Sequence, residues 1–177
     1  EALTDSIIEQ QISLDVAHVL ETSVVKTFGD KLSLEREQYY AYPTPAKLAS
    51  ASIKELRNCG LSTRKAEYIK EISGMIVDGN LNLESFKDYD DVQKIVEELD
   101  AIRGIGVWTA ELTAVRAMRK YDVMPADDLG LRRVIAHFYC EDRKINAEKA
   151  RQIGEGWGRW RGLASFYLIV AEAMEHA

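Results

Sequence analysis

Gly104-Ile105-Gly106 and the acidic pair Asp127-Asp128 are the residues of this chain best suited to chemistry. Glycines at 104 and 106 permit positive φ and close approach of another group to the backbone. The run Val107-Trp108-Thr109-Ala110 then opens a helix, whose first N–H groups and dipole favour an anion such as a phosphate. Asp128 lies 22 residues beyond Gly106, just before a second helix-like run. A turn that grips phosphate with a carboxylate close behind it suggests chemistry on a nucleic acid. Each feature also has a plainer reading. Gly-x-Gly can be a simple turn between helices, and an Asp before a helix is a common N-cap.

The elements that must position these groups read as helices. Val92, Ile95, Val96 and Leu99 form an apolar stripe before the glycine turn, and Trp108, Leu112, Val115 and Met118 form one after it. Val16, Val19, Leu20 and Val24 recur at helical spacing, as do Leu163, Phe166, Tyr167, Val170 and Met174 near the end. Thr44-Pro45 reads as an N-cap with Pro at the first helical position, Ser62 as a second cap, and Gly79-Asn80 as a helix stop. No alternating strand or hairpin signal stands out, so the expected fold class is all-α. Residues 79–90, rich in Asn, Asp and Ser, read as a surface connection between two lobes. Leu56, Gly60-Leu61-Ser62 and Lys65-Ala66 faintly echo Leu99, Gly104-Ile105-Gly106 and Thr109-Ala110, although two unrelated helical turns would look the same.

Composition sets the frame. The 177 residues are 46% hydrophobic, enough for one domain with a sizeable core. No apolar run approaches the ~18 residues of a membrane span, and no signal peptide is apparent. The chain opens on Glu1 rather than Met, which fits a trimmed or partial chain. Cys59 and Cys140 cannot build a disulfide framework or a four-cysteine metal site, and a reducing, intracellular setting is expected. His18, His137 and His176 are scattered without ligand spacing. A net charge of −6 argues against binding nucleic acid by bulk electrostatics. Two local stretches run the other way. Arg103, Arg116, Arg119 and Lys120 face only Glu111 within 102–120, and six cations face Glu148 and Glu155 within 143–161.

With these residues in view, the chain resembles the helix-hairpin-helix (HhH-GPD) DNA glycosylase superfamily, and most of all its 3-methyladenine DNA glycosylase II branch. The resemblance covers nearly the whole chain. It is carried by Gln10-Gln11-Ile12-Ser13, Pro43-Thr44-Pro45, Gly60-Leu61-Ser62 with Lys65-Ala66, the 104–110 hairpin, Asp127-Asp128-Leu129, and Trp160-Arg161 with Ala164. It implies one domain over 1–177 with two helical lobes, roughly 1–28 with 140–177 and 29–139, and a catalytic cleft between them. Larger relatives would carry a small sheet domain ahead of the matched region. The implied function is hydrolysis of the N-glycosidic bond of a damaged base, an alkylated purine by preference, flipped out of double-stranded DNA in base excision repair.

Roles follow from the same resemblance. Asp128 takes the place of the catalytic carboxylate, and its helix N-terminus should keep it ionised. A fixed anion there stabilises positive charge on the sugar and can orient or deprotonate water. Asp127 is the weaker candidate. Trp108 stands where strand-nicking relatives carry a Schiff-base lysine, and no Lys occurs between Gly104 and Met118, so a monofunctional enzyme is implied. Trp108, Trp160, Leu112 and Leu129 would line the base pocket, with Trp157 an alternative to Trp160 for stacking. Leu112 and Leu129 depart from the aromatics of the best-known bacterial member and leave the choice of base open. Arg103, Gly104, Ile105, Gly106 and Thr109 would form the DNA-binding hairpin. Gln10 and Gln11 would supply the wedge, with Gln11 at the intercalating position, or simply a polar helix end. No iron–sulfur cluster or other cofactor is implied. A monovalent cation on the backbone carbonyls of Asp100, Ile102 and Gly104 is implied as a bridge to phosphate. The expected protein is a monomer without membrane contact, in the cytoplasm or nucleoid of a prokaryote or the nucleus of a eukaryote. Rival readings are a non-catalytic helix-hairpin-helix DNA-binding module, a helical protein-interaction domain, and a bifunctional glycosylase/AP lyase.

Overall fold

The computed structural model describes residues 1–175, which are mostly helical. His176 lies outside the described residues. Helices α1 (Ala2–Glu9), α2 (Leu14–Phe28), α3 (Pro45–Ser50), α4 (Ile53–Asn58) and α5 (Thr63–Val77) share one unit with strands β1 (Lys31–Leu34) and β2 (Glu37–Tyr40). That unit comprises residues 1–86 and 102–104. Helices α6 (Val92–Asp100), α7 (Val107–Met118), α8 (Leu129–Tyr139), α9 (Ala147–Glu155) and α10 (Arg161–Glu175) belong to the second, residues 87–101 and 105 onward. This division corrects the expected grouping of 1–28 with 140–177. Leu3, Ile7 and Ile8 are buried as α1 lies against α2 and α5, which holds the N-terminal residues in the first unit. No described helix is long and apolar enough to cross a membrane.

In the first unit the caps are those read from the sequence. The Thr44 and Ser62 side chains accept from the backbone of Lys47 and Lys65, and Pro45 stands at the first turn of α3. Helix α5 closes with Gly79 at φ +75° and the Asn80 N–H returning to the Met75 carbonyl, a common helix stop. Helix α2 forms where expected and turns only the Leu20–Val24 side of the expected stripe inward. Ala17 and Val24 are buried, whereas Val16 and Val19 are exposed. Leu20 explains the choice: its Cδ2 sits 2.5 Å from where a Cβ on Gly60 would be, so this face closes on the α4–α5 turn.

The strands are a departure from the expected absence of hairpins. β1 and β2 pair antiparallel with Leu34 opposite Glu37 around Glu35-Arg36, and Glu35 takes φ +56°. The turn lacks the Gly, Asn or Asp that announces a hairpin, and both faces are exposed, so no burial pattern marks it. The connection after α5 is also more structured than its composition suggests. Leu81 and Phe86 are buried, and residues 83–88 wind into a 3-10 turn at which the chain leaves the first unit.

In the second unit Val92, Ile95, Val96 and Leu99 all face inward on α6, as do Leu112, Val115 and Met118 on α7. Met124, Ala126, Leu131, Ile135 and Ala150 form a core flanked by Ile145, Ile153, Trp157 and Leu168. The expected apolar stripe of α10 largely faces outward: Tyr167, Val170 and Met174 are exposed, while Gly162, Ser165 and Glu172 are buried. Gly162 sets this rotation. A Cβ there would lie 2.5 Å from the Val123 carbonyl oxygen, and its N–H donates to the Tyr121 carbonyl at 2.8 Å.

The internal echo is present in the backbone. Gly60 and Gly104 adopt φ +95° and +93°, and each is followed by a buried aliphatic residue, Leu61 or Ile105. Leu56 and Leu99 enter the two turns buried, and Ala66 and Ala110 leave them buried.

Candidate active site

The hairpin begins where α6 ends. Gly104 is needed twice over: its φ is left-handed, and a Cβ would lie 2.2 Å from the Tyr68 ring. Ile105 is buried, as its place between the glycines implied. The first helical hydrogen bond of α7 runs from the Ala110 N–H to the Gly106 carbonyl at 3.0 Å, and no side chain caps this end. The amides ahead of it, those of Val107 and Trp108 among them, lie at a helix N-terminus that favours an anion.

Two side chains of the expected hairpin set are used otherwise. The Arg103 guanidinium donates to Glu71 at 2.8 Å and Glu67 at 3.3 Å and lies over the Tyr68 ring. These carboxylates raise its pKa and engage one donor on each terminal nitrogen of the guanidinium. Thr109 is buried on α7.

The two glutamines have different fates. Gln10 ends α1, and its Nε2 donates to the Gly104 carbonyl at 3.0 Å. A cation on that carbonyl would share it with the Gln10 amide. Gln11 is exposed with φ +59°. Lys65 steadies this bend: its Nζ donates to the carbonyls of Ile8 and Gln10 at 2.7 and 2.8 Å. Partial burial lowers the Lys65 pKa.

Asp128 is the N-cap of α8, and its Oδ1 accepts the Leu131 N–H at 2.7 Å. Its Oδ2 accepts the indole N–H of Trp108 at 3.1 Å. Capping and availability for chemistry are therefore compatible, because one oxygen caps while the other is oriented by a neutral donor. Trp108 is neither a plain core residue nor only a wall: half-buried on the first turn of α7, it aims the carboxylate.

Asp127 is occupied differently. Its Oδ2 accepts from Arg151 Nη2 at 2.8 Å. Arg151 also donates to both oxygens of Glu111, at 2.6 and 3.4 Å, and to the Met124 carbonyl at 3.3 Å. The Glu111 side chain is only 4% exposed, and burial raises its pKa despite the opposing pull of Arg151. The sequence reading missed this group, since a Glu–Arg pair forty residues apart leaves no spacing signal.

The remaining pocket candidates divide by exposure. Trp160 is 49% exposed, with Arg159 stacked 4.8 Å from its centre and Tyr121 at 6.1 Å. Trp157 instead packs against the core and donates its N–H to the Tyr139 hydroxyl at 3.3 Å. Leu129 is 75% exposed, whereas Leu112 is 7% exposed within the body of the unit. Among the described residues no three His, Cys, Asp or Glu side chains come together as a metal site.

Comparison with known proteins shows the family. Residues 4–159 match the family described as HhH-GPD superfamily base excision DNA repair protein. DNA-3-methyladenine glycosylase of Bacillus subtilis is 31% identical over 170 residues, covering 95% of this chain and 55% of its own. The solved structure of 3-methyladenine DNA-glycosylase from Archaeoglobus fulgidus superposes with a TM-score of 0.87 at 38% identity, over 98% of this chain and 57% of that one. Schizosaccharomyces pombe 3-methyladenine DNA glycosylase, solved in complex with abasic DNA, gives a TM-score of 0.79 at 25% identity, over 95% and 77%. The chain spans about half the length of the curated relatives it matches. Matched by this family over residues 4–159, the chain belongs to the HhH-GPD superfamily of base excision DNA repair proteins.

Proposed function

We propose that this chain carries the active site of a monofunctional DNA glycosylase. It hydrolyses the N-glycosidic bond of a damaged base, an alkylated purine by preference, flipped out of double-stranded DNA. The observation that carries this reading is the Trp108–Asp128 hydrogen bond. The place of a Schiff-base amine is taken by an indole, and that indole orients a carboxylate.

Breaking the bond leaves positive charge on the sugar. The Asp128 carboxylate stabilises that charge and orients or deprotonates the attacking water. The base leaves with the bonding electrons, and the oxygen of water joins the sugar carbon. An alkylated purine is electron-poor, and the exposed face of Trp160 offers it a stacking surface by the same quadrupole logic as a cation–π contact. Gln11 fills the space the base vacates. Amides of the hairpin hold a phosphate of the same strand, which suits a chain whose net charge is negative.

A set of duplexes with single defined lesions tests the reading. The expected product is an abasic site in an unbroken strand, with no covalent complex trapped by borohydride. Asp128→Asn should abolish excision and preserve binding to abasic duplex. Undiminished excision by that variant would remove Asp128 from the mechanism, and a trapped complex would assign a lyase instead.

A further inference from the structure

Asp127 and Asp128 are adjacent acids with opposite treatment, and both are held from one helix. Trp108 and Glu111 stand three residues apart on α7, so they share a face. Trp108 reaches Asp128 directly. Glu111 reaches the same loop through Arg151, whose guanidinium also takes the Met124 carbonyl and the Asp127 carboxylate.

We propose that Arg151 and Glu111 are positioning residues for Asp128: the guanidinium clamps Met124 and Asp127, and thereby the segment leading into the reactive carboxylate, to the face of α7 that carries Trp108.

Three observations support this. The anchor is buried, and Arg151 meets it with two donors, a geometry that fixes direction as well as distance. The clamped points lie at Met124 and Asp127, so the short segment delivering Asp128 is held before α8 begins. Arg151 also pairs with the carboxylate that the proposed reaction does not use. Asp128 is left with two neutral donors, Trp108 and the Leu131 amide. Other charge near this loop comes from Arg132, whose guanidinium reaches the Asp127 carbonyl at 3.5 Å. A misplacement of about 1 Å at a reacting group costs on the order of 100-fold in rate, so a clamp of this kind bears on chemistry without touching the substrate.

The inference rests on Asp128 being the reactive carboxylate, so its test has one readout that needs no activity. The Trp108 indole N–H resonance, identified by its loss in Trp108→Phe, reports the Trp108–Asp128 bond directly. In folded Arg151→Met the resonance is expected to shift and exchange faster. Single-turnover excision should fall about 10- to 100-fold, while affinity for abasic duplex stays within about threefold. Arg151→Lys, which keeps the charge but not the fork, should recover part of both. Should Arg151→Met fail to fold, Asp127→Ala cuts only the outer contact and should move both readouts less, in the same direction. An unchanged resonance and an unchanged rate in either folded variant overturn the proposal. A shifted resonance in a protein that excises no base upholds the clamp and overturns the functional reading.

Discussion

Trp108 donates its indole N–H to Oδ2 of Asp128 across 3.1 Å, while the other oxygen of that carboxylate caps α8. Trp108→Phe keeps the ring and removes the donor. A hydrogen bond to a charged group contributes about 1.5–3 kcal/mol, so single-turnover excision should slow about 10- to 100-fold. Melting temperature should fall by several degrees, because the same bond supports the fold. An unchanged rate would mean that the cap alone orients Asp128.

Gly104→Ala meets two penalties. A left-handed residue with a Cβ costs about 1–2 kcal/mol, and the Cβ overlaps the Tyr68 ring. A loss of about 2–4 kcal/mol is expected in urea unfolding. Adding Tyr68→Ala should relieve the overlap but not the backbone strain, so recovery of the whole loss would show that φ is unimportant.

Arg103 is spoken for by Glu67 and Glu71. A cation that neutralises a phosphate changes the log–log salt dependence of duplex binding by about 0.9. Arg103→Ala should change it by much less than that. A full unit change would show that DNA draws the guanidinium away from its partners.

Asp5 gives the fold a pH dependence. Burial raises its pKa to about 6 against an ordinary 3.8, although the Tyr42 hydroxyl donates to it at 2.6 Å. Its folded form holds the proton more tightly than the unfolded form, so stability falls as pH rises from about 4 to about 6 and then levels. Two pK units correspond to ~3 kcal/mol, and partial exposure reduces this to ~1 kcal/mol. Asp5→Asn should flatten this part of the stability profile and be the more stable protein at neutral pH. A wild-type profile in the variant would exclude Asp5 as its source.

His137 has the same sign at higher pH. It bridges Asp142 at 2.9 Å and Glu175 at 3.0 Å, and both carboxylates raise its pKa above 6.5. Its contribution is full below the unfolded value and is lost as pH rises through the folded one. Protection factors of amides near Glu175, which divide out the intrinsic rise of exchange with pH, should therefore fall as pH rises through the folded value in the wild type. His137→Gln should show low protection throughout, and a wild-type pattern in that variant would remove the bridge as the cause.

How much of this was legible in the sequence depends on the range of the interaction. Caps at Thr44, Ser62 and Asp128 and the stripes of α6 and α7 are local, and each was readable from residues within two turns. Faces of α2 and α10 were not, because each helix carries apolar residues on more than one side. Contacts made by Leu20 and Gly162 with distant segments decide between them. The β1–β2 hairpin gave no signal because a Glu fills its left-handed position and neither face is buried. At the site, Gly104 and Asp128 were visible as types at a spacing. The partners that distinguish Asp128 from Asp127 come from other helices and have no sequence pattern at all.

The amide of Gln10 has a mechanical consequence. One end of this residue is held by Lys65 through its carbonyl, and the other grasps the carbonyl of Gly104. In the proposed reaction the turn at Gly104 holds a strand and the bend at Gln11 probes its stack, and Gln10 joins them as the arm of a lever. Reading the orphaned base would then fall to Gln11, and under that proposal a strand seated badly at the turn would also misalign the probe, so that testing for damage and holding the backbone would become one act.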